Sequence, residues 1–322
     1  EKPRSRSRHA KRHDNMFKTT TAMRKAALML LAMLMTLLML SERTESVRVC
    51  ASNLSSGNDQ AYHEAGINQL RGLNVTLAAV QEFNYGNNSP AALRSFVDQA
   101  FGPSYDFYRS DNTTYQIPNG VVFDRNRFRL MDNGTWHSPV IFNRGFPYTR
   151  LHPLLADGSD DKSSPSLFIV SLHLSTQSSK QTVEAQRVVE LIQEYYGVNS
   201  LTQVTDYLIV AGDFNANSGQ SQVVRIFVEA GLLDEPVPVD QLGDSTTNQP
   251  RSKRHDFVLQ NQLLLATHQP TVFRPASLTT YPDGLVLDTR IFTPISAIFP
   301  AQQGDTGVDG MQHLAVVKNY AI

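Results

Sequence analysis

Polar residues stand at six places where short apolar runs begin or end, and together they could do chemistry. Val47–Cys50 leads into Asn53, and Leu77–Val80 ends in Gln81-Glu82. Leu167–Leu172 ends in His173, and Tyr207–Val210 runs into Gly212-Asp213-Phe214-Asn215. His255-Asp256 opens Phe257-Val258-Leu259, and His313 precedes Leu314–Val317. Alone, each is an ordinary turn or cap residue. Brought together, the carboxylates, carboxamides and histidines would make a hard-oxygen metal site beside proton-transfer groups. Mg²⁺ takes one or two carboxylates plus water and phosphate oxygens, and Glu82, Asp213 and Asn215 could supply the protein's share.

Such a convergence needs rigid elements that end at one place. Runs rich in β-branched residues predict strands over Val47–Asn53, Leu77–Gln81, Gly120–Phe123, Leu167–Leu174, Tyr207–Gly212 and Asp256–Leu259. Helices are expected over Tyr62–Leu70, Ala91–Phe101 and Thr182–Tyr196, the last with Val188, Leu191, Ile192 and Tyr195 at helical spacing. Asp157–Pro165 and Asp240–Ser252 read as loops. Strand and helix signals alternate without a break from residue 46 to residue 322, which implies one α/β domain.

The 322 residues are 18% charged and 41% hydrophobic, which excludes a mainly disordered, collagen-like or coiled-coil chain. A single cysteine, Cys50, excludes a disulfide framework and a multi-thiolate zinc site; within an apolar strand it reads as an inert buried thiol. Residues 1–25 hold nine Lys/Arg against two Asp/Glu, so the rest carries a formal charge of −8. That body has no broad basic surface for gripping nucleic acid. Residues 1–22 read as a basic disordered leader. Residues 23–45, with Arg24-Lys25 ahead of the apolar Ala26–Leu40, read as a signal peptide or an N-terminal membrane anchor. The expected location is therefore secreted or periplasmic, or membrane-anchored through residues 26–40. No H-E-x-x-H, G-x-S-x-G or Walker-type loop occurs.

The ordered set Asn53, Gln81-Glu82, Ser171-Leu172-His173-Leu174, Gly212-Asp213-Phe214-Asn215, Asp256 and His313 resembles the endonuclease/exonuclease/phosphatase superfamily, and in particular a secreted bacterial member. The likeness spans about residues 47–317 in the order of that family's motifs. It implies a four-layer α/β sandwich, two packed mixed β-sheets flanked by helices, with the site at one end. By resemblance Glu82 is the principal Mg²⁺ (or Mn²⁺) ligand, with Asn53 near metal and phosphate. Asp213 orients or deprotonates the attacking water, and Asn215 contacts the phosphate or a second metal. His173 donates to a phosphate oxygen, and Asp256 fixes the imidazole of His313. Arg150 falls where many members place a basic residue near the substrate. One departure is Gln312, which stands where the family usually has a carboxylate before the histidine; weaker metal binding at a secondary position is the expected consequence.

The expected activity is Mg²⁺-assisted, in-line hydrolysis of a phosphodiester by a hydrolase of phosphate esters, with nucleic acid as the first substrate. Arg251, Lys253 and Arg254 could supply local positive charge for it. A sphingomyelinase-like lipid phosphodiesterase is an alternative, with Phe142, Phe146 and Tyr148 as candidates to meet a bilayer. A secreted binding protein that keeps the fold without catalysis, suggested by Gln312, is another. No protein partner is inferred, and a monomer is expected.

Overall fold

The computed structural model describes residues 46–55, 61–110, 117–141, 144–273 and 279–322. The leader, the apolar run 26–40 and Phe142 lie outside the described residues. Among the described residues no helix is long and apolar enough to cross a membrane.

In chain order the elements are β1 (Val47–Ser52), α1 (Glu64–Leu73), β2 (Leu77–Val80), α2 (Pro90–Ala100), β3 (Tyr105–Arg109), β4 (Gly120–Asp124), β5 (Phe128–His137) and β6 (Gly145–Pro153). They continue with β7 (Leu167–His173), α3 (Ser178–Tyr196), β8 (Tyr207–Asp213), α4 (Gln222–Glu229), β9 (Leu232–Leu233), β10 (Asp256–Asn261) and α5 (Gln262–Leu265). The last strands are β11 (His268–Gln269), β12 (Thr271–Phe273), β13 (Thr279–Tyr281), β14 (Leu285–Leu287) and β15 (Ala315–Tyr320). One mixed sheet has the order β11-β15-β1-β2-β4-β3 with β14 also on β15; the second runs β5-β6-β7-β8-β10-β9. β12 and β13 form a separate hairpin.

Each sheet contains one parallel pair, β1 with β2 and β7 with β8. Each pair is joined by a helical crossover, α1 or α3, as parallel strands require. Local sequence sets these helices. Ser89 caps α2 by accepting from the Ala92 amide at 3.2 Å, and Pro90 occupies a first-turn position where no N–H is needed. α3 stops at Gly197, whose φ of 64° is the left-handed cap that glycine tolerates.

The period-2 alternation of the strands divides the interior into three apolar layers. Val47, Val49 and Ala51 of β1 meet Ile169, Ile209, Ala211 and Val258 between the sheets. Cys50, Ala78 and Val80 face outward onto Leu70, Leu73, Phe96 and Val97 of α1 and α2. Phe168, Val170, Leu208 and Val210 pack on Val188, Ile192, Val224 and Phe227 of α3 and α4. This is a helix–sheet–sheet–helix sandwich, the expected four-layer class. Burial pushes the Cys50 thiol up, so it stays protonated in the core.

The inter-sheet rows turn polar at one end. In β1 the inward series Val47, Val49, Ala51 continues to Asn53. In β8 the series Tyr207, Ile209, Ala211 continues to Asp213, and in β7 Leu167, Ile169 continue to Ser171 and His173. All these positions lie at the C-terminal ends of the parallel pairs, where α/β sheets open their ligand crevices. β10 runs the other way, and its first residue, Asp256, sits directly opposite Asp213.

Candidate active site

Asp213 lies at the centre, buried. Asn53 Nδ2 donates to its Oδ2 at 3.1 Å, across from the other sheet. The Asn215 backbone amide donates to Oδ1 at 2.7 Å, and Asn215 Nδ2 lies 3.4 Å from Oδ2. His173 Nε2 and His313 Nε2 approach Oδ2 to 3.3 and 3.6 Å. Glu82 lies alongside, its Oε1 4.0 Å from His173 Nδ1 and its Oε2 accepting from Ser55 Oγ.

His313 Nδ1 is 2.9 Å from Asp256 Oδ2. Asp256 is itself fixed by Thr247, whose hydroxyl donates to Oδ2 at 2.8 Å and accepts from the amides of His255 and Asp256, each at 2.9 Å. Thr247 was not singled out for any role by spacing alone; its fixed position is what makes the Asp256–His313 pair rigid.

Two residues of the set have backbones in the left-handed region, Glu82 and Asn215, each with φ of 50°. For a glutamate this costs on the order of 1–3 kcal/mol, a strain typical of residues aimed at a site. Gly212 has φ of 136°, and a Cβ there would strike the Leu172 carbonyl and the Gln81 carboxamide. The glycine therefore lets Gln81 cross between sheets, where its Nε2 donates to Ser171 Oγ at 2.9 Å. Gln81 clasps the two sheets beneath the site.

Charge is distributed unevenly. Burial opposes the imidazolium of His313, but the Asp256 and Asp213 carboxylates outweigh it and push the group up to about 10. His313 is therefore a cation held between two carboxylates. Burial, with Arg144 and His313 nearby, lowers His173 well below the usual histidine value, so it is neutral. Burial raises Glu82.

Asp213, Asp256 and His313 also lie close enough to share an ion. Asp256 Oδ2 already accepts two hydrogen bonds, from Thr247 and His313, so it has little left to offer an ion. Glu82, Asn53 and Asp213 are the residues that could hold a cation. Asn53 Oδ1, His173 Nδ1 and Asp256 Oδ1 are buried without a hydrogen-bond partner. Buried acceptors in surplus, two of them beside Glu82 and Asp213, fit a hard divalent cation.

Arg150 is not part of this constellation. In the antiparallel register of β6 on β7, Arg150 sits opposite Phe168, five residues before His173 and roughly 17 Å from it by strand rise. Its guanidinium is committed to Asp206 at 2.7 Å, a carboxylate shared with the Tyr196 hydroxyl. The arginine beside the site is Arg144, just ahead of β6. Its Nη1 donates to Leu174 O at 2.6 Å, and its Nε is buried without a partner. Burial lowers its guanidinium, which feels Asp213, Glu82 and Glu184. Only the β6–β7 register distinguishes the two arginines. Asn119 helps to seat that strand start by donating to Gly145 O at 2.8 Å.

Other expectations also meet geometry. Arg251 is held by Asp240, Asp244 and Asp288 at 2.6, 2.9 and 3.1 Å, and Arg254 by Asp234 at 2.7 Å. Of that cationic stretch, only Lys253 stands exposed without an ion-pair partner among the described residues. Phe146 is fully buried, and Tyr148 stacks on Phe168 with ring centroids 5.2 Å apart, so neither is a free membrane contact. Gln312 is exposed, and its carbonyl accepts from the Gln249 amide.

No protein-family model matches the sequence, and no curated protein matches it. Solved structures do match in shape. The endonuclease/exonuclease/phosphatase from Bacteroides vulgatus is 13% identical, with a TM-score of 0.53 over 85% of this chain and 98% of that one. A mannosyl-6-phosphatase from Bacteroides thetaiotaomicron VPI-5482 is 15% identical, with a TM-score of 0.51 over 85% and 98%. TDP2 from D. rerio, complexed with a single-stranded DNA product, is 13% identical, with a TM-score of 0.52 over 86% and 100%. The chain has the fold of the endonuclease/exonuclease/phosphatase superfamily.

Proposed function

We propose that the protein is a divalent-metal-dependent phosphoesterase that cleaves its substrate by direct attack of water. The observation that carries this reading is Asp213, buried at the meeting point of Asn53, Asn215, His173 and His313, with Glu82 beside it. Glu82, Asn53 Oδ1 and Asp213 would hold the cation. When bound, a divalent ion polarises a phosphoryl oxygen and offsets its charge.

The chain's own groups supply the rest. Asp213, an acceptor kept in place by Asn53 and Asn215, orients a water and takes its proton. His313, a cation locked by Asp256, donates to a phosphoryl oxygen and stabilises charge as it builds there. Neutral His173 holds Asp213 through Nε2. Arg144 adds positive potential at the same end without leaving its carbonyl partner. Asn215, clamped to Leu174 O at 2.9 Å, keeps the Asp213 loop rigid.

Two neighbours frame the substrate question. A DNA product on TDP2 supports the nucleic-acid reading; a sugar phosphatase of the same fold supports a monoester. The commitment of Arg251 and Arg254 to carboxylates weighs against a strongly cationic groove. The first experiment uses phenyl phosphate, bis(p-nitrophenyl) phosphate and plasmid DNA with Mg²⁺ or with EDTA. Hydrolysis of at least one of these, abolished by EDTA and restored by metal, is expected. Activity indifferent to EDTA, or none on any ester, would overturn the proposal.

A further inference from the structure

Two of the three residues that could hold the cation, Asn53 and Glu82, follow different strands, and both lie past the point where those strands pair. The regular β1–β2 register ends with Ser52 opposite Val80, one residue short of Asn53 and two short of Glu82. Glu82 also keeps a left-handed φ of 50°. A residue in so sparsely populated a region stays there only when its surroundings over-determine it. Something beyond strand pairing must therefore hold these two segments together.

Tyr62, just ahead of α1, meets that need. It is buried, its ring against Phe96 of α2 at a centroid distance of 4.8 Å. The hydroxyl donates to Ser52 O at 2.8 Å and lies 3.2 Å from Gln81 O. It accepts from the Leu54 amide at 3.3 Å. One hydroxyl thus touches the backbone on both sides of Asn53 and immediately before Glu82. The main chain of the same residue holds the far side of Glu82, since the Tyr62 amide donates to Asn84 O at 2.9 Å. The ring belongs to the apolar layer under α1 and α2, so the hydroxyl is delivered at a fixed point rather than on a flexible stem.

Resting on the phosphoesterase reading, we propose that Tyr62 is a positioning residue whose hydroxyl sets the separation of Asn53 and Glu82 and so fits both to one divalent cation. It touches neither cation nor substrate. Small divalent ions demand close ligand geometry, and groups that orient the ligands typically govern affinity by about 10–100-fold. Without the hydroxyl the ring still fills its place, but Ser52 O and Gln81 O lose a shared partner and the ends of β1 and β2 are free to part.

The test compares Tyr62→Phe with Tyr105→Phe in the full chain. Tyr105 is a buried tyrosine of the same apolar layer whose hydroxyl also donates to a carbonyl, Val75 O at 2.8 Å, ahead of β2 and so at the end away from Glu82. The melting temperature without metal and calorimetric titration with Mn²⁺ are read for both variants and the wild type. Both variants should melt about 2–4 °C below the wild type, each having lost one buried hydrogen bond. Only Tyr62→Phe should bind Mn²⁺ more weakly, by about tenfold or more. Equal Mn²⁺ affinity in Tyr62→Phe and the wild type, or an equal loss in both tyrosine variants, would overturn this inference and leave the phosphoesterase reading standing. A Tyr62→Phe chain that fails to fold would assign the hydroxyl to the fold and overturn it likewise. No Mn²⁺ binding by the wild type would overturn both.

Discussion

Two buried polar clusters lie in the space between the sheets, and they treat their hydrogen bonds in opposite ways. At the Asp213 end, Asn53 Oδ1, His173 Nδ1 and Asp256 Oδ1 are buried without partners, and three carboxylates crowd one histidine cation. Four residues further along β10, roughly 13 Å by strand rise, Gln260 anchors a second knot. Its Oε1 accepts from Lys318 Nζ at 2.8 Å and from the Tyr320 hydroxyl at 3.0 Å, and its Nε2 donates to Glu235 O. Lys318 also donates to Asp234 O at 3.1 Å. In that knot the named polar groups are matched. The Gln260 knot matches its donors and acceptors, whereas the Asp213 cluster leaves acceptors over, which is what the proposed cation site needs.

Substitutions in each cluster should therefore move different observables. Asp213→Ala should lower kcat on a synthetic phosphoester by at least about 10²-fold, while urea unfolding shifts by no more than about 1 kcal/mol, because a crowded carboxylate has been removed. An active Asp213→Ala protein would erase the distinction.

Gln260→Leu should do the reverse. It strips one of two acceptors from the fully buried Lys318 amine and the acceptor from the buried Tyr320 hydroxyl, costing about 3 kcal/mol in urea unfolding, with the folded fraction retaining its kcat. A stable Gln260→Leu protein would show that the knot carries no structural load.

A smaller effect distinguishes the knot by pH. Burial drives Lys318 down to about 7 from its free value of 10.5, with Asp234 opposing and Arg254 reinforcing the shift. Between those values the unfolded chain holds a proton that the folded chain has released, so stability gained through this group rises with pH. The full penalty is present below about 7 and is gone above the free lysine value. Lys318→Met should flatten this part of the profile, raising stability more at pH 7 than at pH 10. An unaltered slope would place the lysine's proton equilibrium elsewhere.

Much of the site was legible because strand parity and strand ends are written locally. Asn53, Asp213 and His173 continue inward rows, and Asp256 opens a strand that runs the other way, so apolar runs followed by a polar residue marked them. The arginine was not legible in that manner. Arg144 and Arg150 flank or occupy the same strand, and choosing between them requires the β6–β7 pairing, a tertiary fact. Lys318 and Gln260 were missed for a related reason. A lysine after Val316-Val317 reads as a solvated strand end until β15 is seen to face β10 across the core. The β5–β6 hairpin was equally silent, because Phe128–His137 is exposed along much of its length and carries little apolar alternation.

The claim that the surplus acceptors receive a divalent cation is tested most directly by calorimetric titration of Mn²⁺ into the wild type and into Glu82→Gln, with the melting temperature followed in parallel. Binding in the millimolar range or tighter is predicted for the wild type, together with a metal-dependent rise in melting temperature, and both should weaken by about tenfold or more in the variant. No heat and no thermal shift in the wild type at millimolar metal, or equal binding by Glu82→Gln, would contradict the account.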